Sequence, residues 1–366
     1  MPLRLIFFGF LFVALPRVSL AESEVAIGAI LHLTGDQSMQ GNALREGIEV
    51  AAAEINASGG VVGHKVAVWY EDSRLNPKEA VAAAKKLLSS EKIVAVLNAS
   101  YLESSANGPV FQKAHVPVIT LWDSAPALEA IGDYIFGIGV WAPSTGEASG
   151  GFACNNLKAG RAVIINMDNE WSQTAADLFE EKFRECGGRV LDKFALTPDT
   201  TDFRTVLLKA QKLNSDVIYT PITDNVNVFY KQIRASKIKA AIITSDIISE
   251  SHLSLDPESF EGVYQSQPGD PSNHTTQRLI TQYARKFGHS PKMLFLTSLG
   301  YDGMRLIQQA AVLGGGITPK NIQQGLRKVT AFDGASRDMM SINVRGSSPI
   351  SERMYIIRNS QFELVK

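Results

Sequence analysis

The chain is short of cysteine, of net charge and of long apolar runs. Two cysteines in 366 residues, Cys154 and Cys186, build neither a disulfide-dense scaffold nor a multi-cysteine metal site. Lysine and arginine (36) balance aspartate and glutamate (37), so a formal net charge of −1 offers nucleic acid no electrostatic footprint. No basic run interleaved with aromatics supplies one locally. Beyond residue 21 no apolar stretch reaches the ~20 residues of a membrane-spanning helix without charges or turn residues. With 45% hydrophobic residues, 15 prolines and 29 glycines, the composition is that of neither a disordered nor a collagen-like chain. At ~150 residues per domain, the length predicts about two domains with sizeable cores.

What is present begins with an N-terminal leader. Arg4 provides a positive start, Leu5 to Leu15 form an apolar run of eleven residues, and Ser19-Leu20-Ala21 places small residues at a cleavage position. The competing reading is a buried first strand or helix. The leader predicts a signal peptide over residues 1–21, cleaved after Ala21, and an exported chain that starts at Glu22 with no cysteine to carry a lipid. In an oxidising compartment an even pair of cysteines is a disulfide candidate. Cys154 and Cys186 fall near the ends of two successive predicted helices, so side-by-side packing would bring them to one sheet edge. A bridge and two buried thiols are both open readings.

From Val25 onward, strand and helix signals alternate. Val25–Leu31 is a strand-like run, and Leu44, Ile48, Ala51 and Ile55 stripe one helix face before Gly59-Gly60 ends it. Val66–Tyr70 is the next strand. Asn76 and Pro77 read as the N-cap and first residue of a helix with Ala80, Ala84, Leu87 and Leu88 on its apolar face. Ile93–Leu97 and Val116–Leu121 are short β-rich runs with a helix between them.

After Pro143 the pattern restarts, with a helix to about Lys158, strand Arg161–Asn166 and a helix from Ser172 to Cys186. Helix Phe203–Leu213, strand Val217–Thr220, helix Asn225–Ser236 and strand Ala241–Thr244 follow. Helices around Gln277–Phe287, Leu299–Leu313 and Pro319–Val329 are expected to cover the first sheet, and the last 35 residues read as β-like. The predicted fold class is α/β: two doubly wound, Rossmann-like lobes joined by more than one strand. Residues 22–141 with 271–345 make the first lobe, and residues 142–270 with 346–366 the second. Ile138–Ser144 and Val263–Pro271, rich in Gly, Pro, Gln and Ser, are the expected crossings.

Catalytic and cofactor signatures are missing. No G-x-S-x-G, H-E-x-x-H or G-x-x-x-x-G-K-[ST] occurs, and the Gly35…Gly41 turn does not make G-x-G-x-x-G. The six histidines are scattered, with no pair at i, i+4. The reading is of a protein that is not an enzyme and uses no metal or cofactor. Polar and aromatic residues gather instead after predicted strands, the edge at which open α/β sheets bind ligands. The turn Thr34–Gly41, with Gln40, aims helix N–H groups at this edge, which favours an anion such as a carboxylate. Ser100 and Tyr101 follow the next strand, and Trp122, Asp123 and Ser124 the one after. Trp171, Thr223 and Asp246 hold the equivalent places in the second lobe. Each has a bland alternative as helix cap or packing; their shared edge makes them a candidate site.

With these residues in place, the chain resembles the type I periplasmic substrate-binding proteins of ABC importers, in the branched-chain amino acid (Leu/Ile/Val-binding) class. The resemblance runs from about Val25 to the C-terminus. It is carried by Leu33-Thr34-Gly35 through Gly41, Gly47 to Gly60, Tyr70-Glu71-Asp72-Ser73, Asn76-Pro77-Lys78-Glu79-Ala80 and Gly300-Tyr301-Asp302-Gly303-Met304. It implies a periplasmic protein with three crossings between the lobes, closing on an amino acid or analogue that is handed to an ABC permease in the inner membrane. A monomer is expected. By position the resemblance puts the ligand carboxylate on Ser100-Tyr101, a second polar loop on Trp122 to Ser124, a closing aromatic on Trp171 and the ammonium partner on Asp246, with Thr223 loosely aligned. The departures are Gln40 where leucine-binding members carry a large aromatic, Tyr101 where serine is usual, and Trp122 where a small residue is common. An acid at position 246 argues for a cationic ligand group, because a buried carboxylate without a partner is costly. Two further functions fit the same sequence, a ligand sensor signalling to a kinase or regulator and an exported hydrolase; the missing nucleophile motif argues against the latter.

Overall fold

The computed structural model describes residues 24–35, 37–90, 92–124, 126–268, 273–336 and 352–365; the predicted leader, residues 1–21, lies outside them. The chain opens with β1 (Glu24–Leu31), α1 (Ser38–Ala57), β2 (Lys65–Asp72), α2 (Pro77–Ser90), β3 (Ile93–Asn98), α3 (Tyr101–Ala114) and β4 (Val118–Thr120). Short strands β5 (Asp123–Ser124), β6 (Ile135–Gly137) and β7 (Val140–Trp141) follow. Five of these strands make a parallel sheet in the order β2-β1-β3-β4-β6. Its central strands are apolar almost throughout because helices cover both faces of such a sheet. Asn76 caps α2 as its position predicts, its Oδ1 accepting the Lys78 N–H at 2.9 Å, with Pro77 at the first helical position.

The second lobe runs α4 (Ala142–Asn155), β8 (Arg161–Met167), α5 (Glu170–Glu185), β9 (Arg189–Leu196), α6 (Arg204–Lys212), β10 (Val217–Tyr219) and α7 (Val226–Ala235). It continues with β11 (Ala241–Thr244), α8 (Glu250–Leu255), α9 (Pro257–Phe260) and β12 (Tyr264–Pro268). The chain then returns to the first lobe as α10 (His274–Phe287), α11 (Leu294–Gly314) and α12 (Pro319–Leu326). Leu279, Leu299, Met304 and Leu326 from these helices share one core with Ile27, Leu44 and Leu97. Finally β13 (Glu352–Arg358) and β14 (Gln361–Leu364) join the second sheet antiparallel, giving the order β14-β13-β12-β11-β10-β8-β9.

The sequence expectation gave no separate strand for β5, β6, β7 or β9 and no helix for α8 or α9, and two departures have a plain cause. Strand β9 was not anticipated, because it is an edge strand whose half-exposed sequence includes Asp192 and Lys193 and lacks a buried run. Within the expected crossing Val263–Pro271, residues 264–268 are a strand of the second sheet. Its polar character has an internal use: buried Gln265 donates to the Ile248 carbonyl and accepts the Ile248 N–H, both at 2.9 Å.

Helices α1 and α11 approach until backbone meets backbone. A Cβ built on Gly47 would lie 1.9 Å from the Thr297 carbonyl oxygen, and one on Gly300 would lie 2.0 Å from that of Leu44. In the second lobe the ends of α4 and α5 are joined by a disulfide between Cys154 and Cys186, with Cα atoms 6.4 Å apart. It closes a loop of 32 residues, for which restriction of the unfolded chain predicts a stabilisation of about 3–4 kcal/mol. The double variant Cys154→Ser/Cys186→Ser is expected to lose about 2–4 kcal/mol in urea unfolding, and the oxidised parent to lose the same on reduction.

Candidate functional site

In each sheet the strand order reverses beside its first strand: β1 lies between β2 and β3, and β8 between β9 and β10. Loops leaving the strands on either side of such a switch point open a crevice at the strands' C-terminal ends. A cavity of about 320 Å³ lies where the crevices of the two lobes meet, lined by Gln40, Trp122 and Phe295 on one side and by Asn227, Asp246 and His252 on the other.

The first-lobe wall is fixed from beneath. Asp72, at the end of β2, ties down the loop after β1 by accepting the Leu33 N–H (2.9 Å) and the Thr34 hydroxyl (2.6 Å). This sets where α1 starts and so places Gln40 in its first turn. Under the loops after β3 and β4, Asn98 donates to Ser104 Oγ (3.0 Å) and Asn107 Oδ1 (2.8 Å), and Thr120 Oγ1 donates to Ser104 Oγ (2.7 Å). Glu103 is fully buried and accepts from the hydroxyls of Ser73 (2.8 Å) and Ser100, with His32 Nδ1 at 3.1 Å. Burial alone would raise its carboxyl; the bonds from His32, Ser100 and Ser73 and the charge of His32 outweigh burial and hold it below the usual carboxylate range. The imidazole in turn packs against the Trp122 indole, ring centres 5.8 Å apart.

Asp123 stands at the start of α3, where its Oδ1 accepts the Tyr101 N–H at 2.9 Å. Burial, aided by the charge of Glu103, pushes its carboxyl up to about 6. Across the cavity Asp246 is also held well above the usual range, by burial and by the charge of Asp123. Two carboxyls from different lobes therefore sense each other across the cleft. Asp246 is not a helix cap, since Ser249 caps α8, and the loop that carries it is clamped by Gln265. His252 does not neutralise the pair: its Nδ1 accepts the Ser249 N–H at 3.1 Å, and burial lowers its pKa. Among the described residues that line the cavity none is lysine or arginine.

Of the residues singled out by sequence, Gln40, Trp122 and Asp246 line the cavity, and Asp123 is coupled to it through Asp246. Ser100 and Tyr101 are engaged internally, the Ser100 hydroxyl with Glu103 and the Tyr101 N–H with Asp123. Ser124 supplies backbone to β5, which pairs with β7. Half-buried Trp171 lies in the first turn of α5 beside Glu170, whose charge reaches the Tyr101 hydroxyl. Thr223 is exposed and holds two second-lobe loops together, accepting from Asn169 Nδ2 (3.0 Å) and donating to Asp224 (2.7 Å). Asn227, His252, Gln265 and Phe295 were not singled out, because they lie inside elements rather than in the loops that follow strands. For Asn227 the signal was available: it sits in the first turn of the helix after the Thr223 loop.

The raised carboxyls imply a pH dependence. A carboxyl whose pKa is raised on folding binds its proton more tightly in the folded state, so stability falls as pH rises from its unfolded value through its folded one. For Asp123 that window runs from 3.8 to about 6. With Asp246 titrating in the same sense, the ligand-free protein is expected to lose about 1–3 kcal/mol between pH 5 and 7.5. Melting temperature across that range checks this, and Asp246→Asn is expected to flatten the slope and to exceed the parent in stability at pH 7.5.

No helix among the described residues is long and apolar enough to cross a membrane, and no group of three or more His, Cys, Asp or Glu among them is placed to hold a metal ion. The fold has known counterparts. The chain is similar to Leu/Ile/Val-binding protein homolog 2 of Brucella abortus, 23% identical over 342 residues that cover 93% of this chain and 91% of the relative. Among solved structures it resembles the leucine-binding protein LivK of Thermotoga maritima, with a TM-score of 0.82, 26% identity, and coverage of 93% of this chain and 98% of that one. It also resembles the branched-chain amino acid binding protein LivJ of Streptococcus pneumoniae in complex with isoleucine, with a TM-score of 0.83, 22% identity, and coverage of 94% and 99%. All three relatives are named as binding proteins and none as an enzyme, and the Streptococcus protein is the substrate-binding protein of a transporter. A profile of the periplasmic binding protein family matches residues 24–359, and the chain belongs to that family.

Proposed function

We propose that this protein captures a small ligand bearing an ammonium group, an amino acid or a close relative, between its lobes and delivers it to an ABC permease in the inner membrane. The observation that carries the reading is Asp246, a carboxylate in the interlobe cavity that faces Asp123 with no lysine or arginine among the described lining residues. A bound cation would supply the missing partner and hold the lobes together, which is the differential contact that a hinge closure requires. Gln40 and Trp122 would bound the ligand on the first-lobe side. Membership of the periplasmic family supports export, and a small-molecule ligand agrees with the isoleucine bound to the Streptococcus neighbour.

A thermal-shift screen of the chain from Glu22 against amino acids, amines, amides and aromatic acids tests the reading. A ligand at 100 times its Kd adds about 2.7 kcal/mol of stability, well within reach of such a screen. Asp246→Asn is then expected to weaken the best ligand by about 1.5–3 kcal/mol, the scale of a lost charge-assisted hydrogen bond. Titration calorimetry checks this, and an unchanged affinity would remove Asp246 from the site.

A further inference from the structure

The charged groups around the cleft are carboxylates, and the donors among its described lining residues are neutral amide, hydroxyl and indole groups. An anion arriving at the start of α3 would seek its first N–H groups, yet the Tyr101 N–H is already taken by the Asp123 carboxylate at 2.9 Å. The Glu103 carboxylate lies in the same helical turn and holds the Ser100 hydroxyl, removing the next donor. Opposite stands Asp246. Two side-chain carbonyl oxygens, Gln40 Oε1 and Asn227 Oδ1, are cut off from solvent without any hydrogen-bond partner, and both residues line the cavity from opposite lobes. His252 Nδ1 is an acceptor as well. Among the described lining residues no lysine or arginine stands ready for a carboxylate. A ligand carboxylate would thus enter beside the Asp246 carboxylate and find its helix-terminal place filled by Asp123. A ligand rich in N–H donors would instead satisfy the Asp246 carboxylate and, once the two amides turn into the cavity, the orphaned carbonyls as well. The remaining wall, with Met39, Trp122, Met293 and Phe295, is apolar and suits a hydrocarbon body.

We infer that the ligand is an organic cation without a carboxylate, a primary amine or amidine on an apolar body, whose N–H groups are shared by Asp246, Gln40 and Asn227. This rests on the cleft being the ligand site, as proposed above, and narrows that reading from amino acids to their decarboxylated relatives. Asp123 acts as an internal stand-in for the carboxylate that an amino acid would bring.

Matched probes test it by titration calorimetry at pH 7.5 on the chain from Glu22. One set is 3-methylbutylamine, L-leucine and 4-methylpentanoate; a second is 2-phenylethylamine, L-phenylalanine and 3-phenylpropanoate; benzamidine is the amidine probe. At least one amine or benzamidine is expected to bind, an amine at least tenfold more tightly than its amino acid, with no detectable binding of either carboxylate. Asp123→Ala frees the Tyr101 N–H and removes one negative charge, so it is expected to shift the amine-to-amino-acid preference at least tenfold toward the amino acid. An amino acid that binds the parent as tightly as its amine, or a carboxylate that binds at all, overturns the inference and leaves the binding-protein reading standing. Failure of every amine, amidine, amino acid and acid probe overturns both.

Discussion

Glu103→Ala is expected to cost about 3–5 kcal/mol of folding stability, the range found when one member of a buried, charge-bearing network is removed. The side chain is fully enclosed, and three groups depend on it: the Ser73 hydroxyl, the Ser100 hydroxyl and His32 Nδ1. Truncation leaves those groups buried without their acceptor, and each such orphan costs about 1–3 kcal/mol before the network relaxes. Water entering the vacated space would recover part of this, which keeps the total below the sum. Glu103→Gln keeps the volume and one carbonyl acceptor but turns an amide donor toward a hydroxyl that was itself donating, so an intermediate loss is expected. Because the Glu103 carboxyl is held below its ordinary value, its contribution is present above the carboxylate range and is lost as pH falls through the folded pKa. Urea unfolding of parent and variant at neutral and acid pH should therefore show a gap that narrows on acidification. A gap that is small or independent of pH would mean the network carries no charge.

The second large effect lies at the crossing of α1 and α11. Gly47→Ala and Gly300→Ala are each expected to cost about 2–4 kcal/mol, at or above the usual range for overpacking a core. The reason for the upper range is what the new methyl would meet. It is not the tip of a flexible side chain but the carbonyl oxygen of the facing helix, at 1.9 Å for Gly47 and 2.0 Å for Gly300, so the helices themselves must separate. Separation loosens Leu44, Ile48, Leu299 and Met304, which sit in the same core. Urea midpoints with unchanged slopes would show the loss, whereas wild-type stability in both variants would mean that the helices are less tightly apposed.

These cases show which features were legible in the sequence. The α/β alternation was plain because β1, β3 and β8 are buried on both faces and read as unbroken apolar runs, whereas the half-exposed edge strand β9 has no such run. The motifs that carried the family resemblance prove to be mainly structural. Asp72 clamps a loop, Ser73 binds Glu103, Gly300 permits helix contact, and Asp302 receives the N–H groups of Ala335 (2.7 Å) and Ser336 (2.8 Å). Motif strength therefore tracked the scaffold rather than the ligand. The candidate site was legible where a residue lies a few positions beyond a main strand, as Asp123 lies after β4 and Asp246 after β11. What Asp123 does there was not, because that depends on which N–H its carboxylate reaches 22 residues away in sequence. Phe295 belongs to a helix whose periodicity gives no sign that it turns toward the other lobe.

The return of the chain from second lobe to first and back again has a consequence for how the protein comes into being. The first lobe lacks α11, the helix that seals α1, until residue 314 has appeared, and the second sheet lacks β13 until residue 358. Neither lobe can close its core while the other is still being delivered, so a polypeptide emerging N-terminus first from a ribosome or a translocation channel holds no finished domain until nearly its whole length is out. Such distant pairings also slow folding once it begins. For a member of an exported family this delay is useful, because a chain that must be threaded through a membrane pore has to remain unfolded until it arrives.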